Sequence, residues 1–146
     1  MATRSTIALE FADGTVEQVY CHWDGYLSGN GRILQDHYMD PFKVKALIGL
    51  GSISSLGAEI GEKQDFNDRT TQKDEWTLSY HRDRGEELCV NKFKDMVDYE
   101  SNCQREEYNY ILRNVNGKAT WFVEYFACEG GWITLEEAFL MDKEMA

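Results

Sequence analysis

The chain has 146 residues, of which 42% are hydrophobic and 28% charged, and this size and composition are typical of one folded domain over residues 1–146. The formal net charge of -11 disfavours direct binding to nucleic acid, because that binding depends on lysine and arginine neutralising phosphates. No apolar run is long enough for a signal peptide or a membrane span, so we predict no membrane association. The four cysteines include no C-x-x-C pair, which favours reduced thiols and a cytoplasmic location.

The first predicted element is a β-hairpin. Residues 6–11 and 15–20 are two apolar-rich runs that flank Asp13-Gly14, a dipeptide typical of tight turns between antiparallel strands. Side chains alternate between the two faces of a strand, so the side chains after the second run divide into two sets. On this basis we expect Cys21 and Trp23 to pack in the core.

Two short helices are predicted after a glycine-rich segment. Residues 32–38 carry apolar side chains at helical spacing. Asp40 then predicts a new N-cap, with Pro41 at the first helical position, where its missing N–H costs nothing. Gly49 or Gly51 is expected to end this second helix in the left-handed conformation.

The middle of the chain predicts a long loop followed by one strand. Residues 57–75 are polar throughout, as is typical of surface loops, and such loops are commonly functional. Residues 76–82 alternate as a strand should, and residues 83–85 resemble the turn that ends it. Residues 93–104 are compatible with either a helix or a loop.

The last third predicts a second hairpin and a terminal helix. Asn116-Gly117 separates apolar-rich strands at residues 108–115 and 120–126. Thr134 is expected to cap a helix over residues 135–141. The complete order indicates an α+β fold, with a mainly antiparallel sheet of about five strands built from hairpins and two to four helices packed on it.

Two His-x-Asp pairs lie near predicted strand ends. Strand alternation puts His22 and Asp24 on one face, and likewise His81 and Asp83. If the two strands were neighbours, the four groups could converge on a metal ion or on acid-base chemistry. The alternative, which we favour, is that each aspartate accepts backbone hydrogen bonds in a turn. No known catalytic or metal-binding motif is recognised, so we predict no catalytic residue, no metal ligand and no cofactor.

Arginine and aromatic residues near the same strand ends indicate a ligand pocket. Arg4, Arg82 and Arg84 could hold a phosphate or a carboxylate, and the aromatic rings within residues 20–26 could stack on a base. The alternative is that the arginines pair with neighbouring carboxylates and the rings pack in the core. The candidate ligand-binding residues are Arg4, His22, Asp24, Tyr26, His81, Arg82 and Arg84.

The N-terminal pattern resembles a family of small proteins from tailed phages and prophages, the group named after the T4 gene product thirty-point-three. The resemblance is carried by TRSTIALEFADGTVEQVYCHWDGY, followed by GNGRIL and KVKALIGLGSISSLG, and it returns at YHRDRGE. It implies a phage accessory protein in the host bacterial cytoplasm, with a host-takeover or anti-defence role. It implies no catalytic residue.

Three functions fit these expectations. The preferred one is non-catalytic binding of a small nucleotide-like ligand, by a protein that forms a homo-oligomer. The second is an acidic protein-protein inhibitor of a host factor, and the third is a metal-assisted phosphoesterase that uses the two His-x-Asp pairs.

Overall fold

A computed structural model describes residues 2–128 and 131–145, with side chains described up to residue 143. The described residues form eight strands and five helices, which confirms the α+β class but exceeds the predicted numbers of about five strands and two to four helices. The strands are β1 Ser5–Glu10, β2 Val16–Cys21, β3 Ile53–Ser55, β4 Leu78–Ser79, β5 Asn91–Phe93, β6 Tyr108–Val115, β7 Lys118–Glu124 and β8 Ile133–Thr134. The helices are α1 Arg32–His37, α2 Pro41–Ile48, α3 Tyr80–Arg84, α4 Met96–Asn102 and α5 Leu135–Met145.

The strands form one mixed sheet in the order β4-β3-β2-β1-β6-β7-β8, and β5 also pairs with β2. Five of the seven described strand pairings are antiparallel, as predicted, and two of these are the expected hairpins β1–β2 and β6–β7. The pairings β1–β6 and β2–β3 are parallel. The two hairpins therefore meet at the centre of the sheet through a parallel contact.

Local hydrogen bonds explain the two predicted turns. Gly14 has φ 90° and Gly117 has φ 84°, and both glycines take the left-handed conformation that most side chains avoid. In the first turn the Asp13 carboxylate accepts hydrogen bonds from Thr15 N at 2.9 Å and from Thr15 Oγ1 at 2.6 Å. These bonds lower the pKa of Asp13. Each turn is thus specified by residues that are adjacent in the chain.

The sheet buries apolar side chains on both faces. On one face, alternate residues of β1 and β2 such as Ile7 and Val19 pack with α1, α2 and α5 in the larger core cluster. On the other face, Ala8 and Val16 pack against Tyr99 of α4 in a smaller cluster. Because both faces are covered, the sheet forms the middle layer of the fold.

Of the two β2 side chains expected in the core, one is buried and one is not. Cys21 has no exposed surface, as predicted, and burial raises the pKa of its thiol to about 12. Trp23 is 43% exposed, so its predicted packing in the core was wrong. Its position just beyond the end of β2 explains the difference, because the strand no longer directs its ring towards the core.

The predicted strand over residues 76–82 is mostly replaced by a helix. β4 contains only Leu78–Ser79, and the chain then turns into α3, which ends at Arg84 and is followed by its cap Gly85 with φ 77°. The predicted turn over residues 83–85 is therefore the end of this helix. The buried carboxylate of Asp83 accepts a hydrogen bond from Ser79 N at 2.8 Å, which stabilises the start of this helix. The alternation of side chains along residues 76–82 gives no information about this hydrogen bond.

The predicted helix caps are present. The Asp40 carboxylate accepts from Phe42 N at 2.9 Å, and the hydroxyl of Thr134 accepts from Glu137 N at 3.2 Å. Gly51 has φ 76° and supplies the left-handed residue after α2. None of the helices in the described part of the chain has both the length and the apolar character that crossing a bilayer requires.

Candidate functional site

Asp83 has a structural position inside the protein. Its side chain has no exposed surface, and its oxygens accept hydrogen bonds from Gln64 N and Ser79 N, both at 2.8 Å. Arg82 Nε donates to Asp83 Oδ1 at 2.9 Å. Burial by itself raises the pKa of Asp83, but these hydrogen bonds outweigh it and the pKa is lowered. The Asp83 carboxylate is therefore ionised and fully engaged within the protein.

Arg82 fastens the long loop to the sheet. Its guanidinium donates to the carbonyl of Ile60 at 2.9 Å, near the start of the loop, and to that of Thr77 at 2.6 Å, at its end. Together with the bonds to Asp83, these contacts occupy the guanidinium. Arg82 thus shapes the surface beside it through the loop backbone, in agreement with the structural alternative stated for it.

His81 and Arg84 lie at the end of α3 and contact their neighbours. His81 Nδ1 donates to the carbonyl of Glu86 at 2.6 Å. Arg84 pairs with the Glu86 carboxylate, and its guanidinium carbon lies 4.3 Å from the ring centre of Phe66 and 4.9 Å from that of Tyr80. These contacts support the ring of Phe66 from outside.

The two His-x-Asp pairs do not form a metal site. β3 lies between β2, which leads into His22, and β4, which leads into His81. Within residues 2–128 and 131–145, no three His, Cys, Asp or Glu side chains are grouped so that they could hold a metal ion. The metal-assisted phosphoesterase therefore has no ligand set in this part of the chain.

The end of β2 presents a supported tryptophan to the surface. Backbone bonds from His22 N to Ile53 O at 2.9 Å and from Trp23 N to Ser54 O at 3.0 Å extend the pairing with β3. The Tyr20 hydroxyl and His22 Nδ1 share a hydrogen bond of 2.6 Å, and the His22 ring packs edge-on against Trp23 at 4.7 Å. Tyr20 and His22 thus lie together, as strand alternation predicts, and they hold the exposed indole in place.

Arg4 lies near Tyr20 at the end of β2. Its positive charge acts to lower the pKa of Tyr20, while burial, the stronger influence, raises it. The backbone N–H of Arg4 donates to a Glu107 carboxylate oxygen at 3.5 Å. Arg4 is exposed, so its side chain adds positive charge close to the end of β2.

Asp24 forms the turn after β2 and also exposes its carboxylate. Its φ is 59°, in the left-handed region that aspartate tolerates better than most residues, and its carbonyl accepts from Asn30 N at 2.8 Å. The Tyr26 hydroxyl donates to Asp24 Oδ1 at 3.4 Å. The expected turn role is thus combined with an exposed negative group.

A groove of about 460 Å³ opens beside these residues. It lies between the end of β2, strands β3 and β4, and the long loop. Its lining consists of Trp23, Asp24, Ser54, Ser55, Phe66, Arg69, Gln72 and Leu78. The volume falls within the range of about 300–1,000 Å³ that is typical of small-molecule sites. We call this the loop groove.

Three polar side chains of the loop groove, those of Ser54, Ser55 and Arg69, have no hydrogen-bond partner in the described part of the chain. The Arg69 guanidinium forms neither an ion pair nor a hydrogen bond with any described residue. The hydroxyls of Ser54 and Ser55 likewise make no hydrogen bond to the described residues. Arg69 is exposed, so its guanidinium donors are available to a ligand that enters the groove.

The loop that carries Arg69 is held by its own hydrogen bonds. Asp68 accepts from Thr70 N at 3.1 Å and from Thr70 Oγ1 at 2.6 Å. Gln72 Nε2 donates to the carbonyls of Asp65 at 2.8 Å and Phe66 at 3.0 Å. The loop is therefore preorganised around the groove.

Sequence reasoning did not single out the loop residues Phe66, Arg69 and Gln72. The available signal was the long polar segment at residues 57–75, within which one phenylalanine and one arginine stand out. Such a segment is often functional, but its position beside Trp23 depends on tertiary contacts.

A second groove, of about 500 Å³, lies at the opposite end of the sheet, where β1 and β6 finish. Its lining includes Leu9, Phe11, Pro41 and Leu112. The arginine there, Arg113, pairs with Glu10 at 3.1 Å, so its charge is neutralised within the protein. This groove offers a weaker site for an anionic ligand.

No family model, curated protein or solved structure matches the chain. What the loop groove can do is therefore inferred from its own groups. It combines aromatic rings for stacking, a guanidinium for an anion, and a carboxylate and hydroxyls for hydrogen bonds. Together they suit a ligand that has a planar ring and a negative group.

Proposed function

We propose that the protein is a non-catalytic binding protein whose loop groove holds a small nucleotide-like ligand. The observation that carries the proposal is that an exposed tryptophan, Trp23, lines the same groove as Arg69, whose guanidinium has no partner among the described residues. A nucleotide supplies both complementary parts, a planar base and a phosphate.

Trp23 provides the surface for the base. Base–aromatic stacking contributes about 1–3 kcal/mol per base, and a rigid ring loses little entropy on binding. The Trp23 indole packs against the ring of His22, which shares a hydrogen bond of 2.6 Å with the Tyr20 hydroxyl. These contacts restrict the orientation of the indole before a ligand binds. Phe66 lines the groove as well, supported by Arg84.

Arg69 provides the anion contact. A guanidinium can donate two parallel hydrogen bonds to one phosphate, and it stays charged at every physiological pH. The net charge of -11 opposes the approach of a long polyanion, whereas it opposes a single phosphate far less. The net charge therefore favours a mononucleotide or a similar small ligand over nucleic acid.

The resemblance to a phage family supplies the biological setting of the proposal. A protein of this kind in an infected cell would act in host takeover or anti-defence by sequestering a nucleotide-like ligand in the host cytoplasm. The alternative of an acidic inhibitor of a host protein draws support from Phe126, which is 83% exposed next to Tyr125 in a chain of net charge -11.

Isothermal titration calorimetry against a panel of mononucleotides and cyclic dinucleotides tests the proposal. We expect heat with at least one nucleotide, and we expect Trp23→Ala and Arg69→Gln to lose it. Lys63→Gln is the matched control, because it removes a positive charge from the same exposed loop outside the groove lining. If no nucleotide produced heat while a basic host protein bound the chain, the inhibitor alternative would replace the proposal.

A further inference from the structure

We propose that Asp24 makes the loop groove select guanine over adenine, an inference that rests on the proposed function and specifies its ligand class. The Asp24 carboxylate lines the same groove as Trp23 and Arg69. Although Asp24 and Arg69 have opposite charges, they do not form an ion pair with each other. A ligand whose base stacks on Trp23 can therefore contact the Asp24 carboxylate and the Arg69 guanidinium at separate places.

The backbone fixes the point at which the Asp24 side chain leaves the turn. The left-handed φ of 59° and the bond from Asn30 N to the Asp24 carbonyl define the turn. Gly29 is required there, because a Cβ at this position would collide with the same carbonyl oxygen. The Tyr26 hydroxyl donates to Oδ1, and no described residue donates to Oδ2. The carboxylate thus retains accepting capacity that faces the groove.

Hydrogen-bond chemistry distinguishes the two purines at such a group. An ionised carboxylate accepts hydrogen bonds and cannot donate them. Guanine presents adjacent N–H donors at N1 and N2, so it can form two parallel bonds with Asp24. Adenine presents an acceptor at N1 beside its amino group, and that acceptor would face the carboxylate without a proton between them. A site built to accept from two donors rejects a ligand that lacks one of them.

Arg69 and Asp24 have separable roles in this arrangement. The phosphate contact is common to all mononucleotides. Loss of the Arg69 guanidinium should therefore lower the affinity for GMP and the affinity for AMP by the same factor. The Asp24 contact involves the base alone, so its loss changes the ratio of the two affinities. This separation distinguishes reading of the base from a general electrostatic effect.

Calorimetric titrations of the full chain with GMP and AMP provide the test. We expect wild type to bind GMP at least about tenfold more tightly than AMP, as for other bidentate contacts to a base. In Asp24→Asn the ratio of the affinity for GMP to the affinity for AMP should fall, because a carboxamide both donates and accepts hydrogen bonds and can pair with adenine. Asparagine tolerates the left-handed backbone, so this variant keeps the turn. The control Glu62→Gln removes a negative charge from the exposed loop, and it should keep the preference for GMP.

The possible outcomes separate the inference from the proposed function. Equal affinities of wild type for GMP and AMP would overturn the role of Asp24 and leave the binding function standing. A preference for GMP that persisted in Asp24→Asn would also overturn it. If wild type bound neither GMP nor AMP, the role of Asp24 would be overturned, and if it bound no nucleotide of the full panel, the proposed function would be wrong as well.

Discussion

Replacement of Asp83 by asparagine should destabilise the protein and loosen the loop that forms the groove. The fully buried carboxylate accepts from Gln64 N, Ser79 N and the Arg82 guanidinium. An asparagine amide keeps the shape but turns its NH₂ group towards one of these donors. Breaking a buried charge pair costs about 3–5 kcal/mol, and the partial exposure of Arg82 reduces our expectation to about 2–4 kcal/mol.

Urea-induced unfolding followed by tryptophan fluorescence measures this loss. For a domain of this size, it corresponds to a lowering of Tm by about 5–15 °C. The control is Glu86→Gln, which removes one partner of the exposed pair with Arg84 and should change the free energy of unfolding by less than about 0.5 kcal/mol. If Asp83→Asn were as stable as this control, the assignment of Asp83 as the anchor of the loop would be refuted.

The same carboxylate predicts a pH dependence. Because the pKa of Asp83 is lower in the folded protein than in the unfolded chain, its contribution is complete above the unfolded value of about 3.9. The contribution is lost as the pH falls through the lowered folded value. The difference in unfolding free energy between wild type and Asp83→Asn should therefore shrink below about pH 4. A difference that stayed constant to lower pH would contradict the ionised state.

Two further predictions concern packing and thiol reactivity. Gly61→Ala should cost about 2–4 kcal/mol in urea unfolding, because Gly61 has φ 70° and its added methyl would collide with the Trp76 ring, whereas Gly85→Ala, with φ 77° but open space, should cost about 1 kcal/mol. Equal losses would rule out the Trp76 contact. In native thiol titration the exposed Cys89 should react first and the buried Cys21 only after unfolding, since burial raises the pKa of the Cys21 thiol to about 12. Rapid labelling of Cys21 would contradict its place in the core.

The features that the sequence could predict are those encoded by adjacent residues. The turn at Asp13-Gly14 and the cap at Asp40 depend on hydrogen bonds that span two residues, so the local pattern was sufficient. The parallel pairing of β1 with β6 joins Ser5 to Tyr108, and no local pattern reports a contact between residues so far apart in the chain.

The candidate site was predicted in part for the same reason. Its β2 side contains Trp23 and Asp24, and the sequence predicted ligand contacts for the aromatic rings within residues 20–26 and for Asp24. The opposite side comes from the loop, where Arg69 reaches the groove only because Arg82 and Asp83 fasten the loop backbone to β4 and α3. An arginine that was expected to bind ligand thus supports the position of another that lines the groove.

The location of the ligand can be measured directly by ¹⁵N-HSQC titration of the wild-type protein with GMP. If the loop groove is the binding site, the perturbed amides should cluster at Trp23, Asp24, Ser54, Ser55 and residues 66–72. The same titration of Arg69→Gln should leave these signals unshifted at equal concentrations. Perturbations clustered instead around Leu9, Phe11 and Leu112, or no perturbation at all, would contradict the assignment of the loop groove as the functional site.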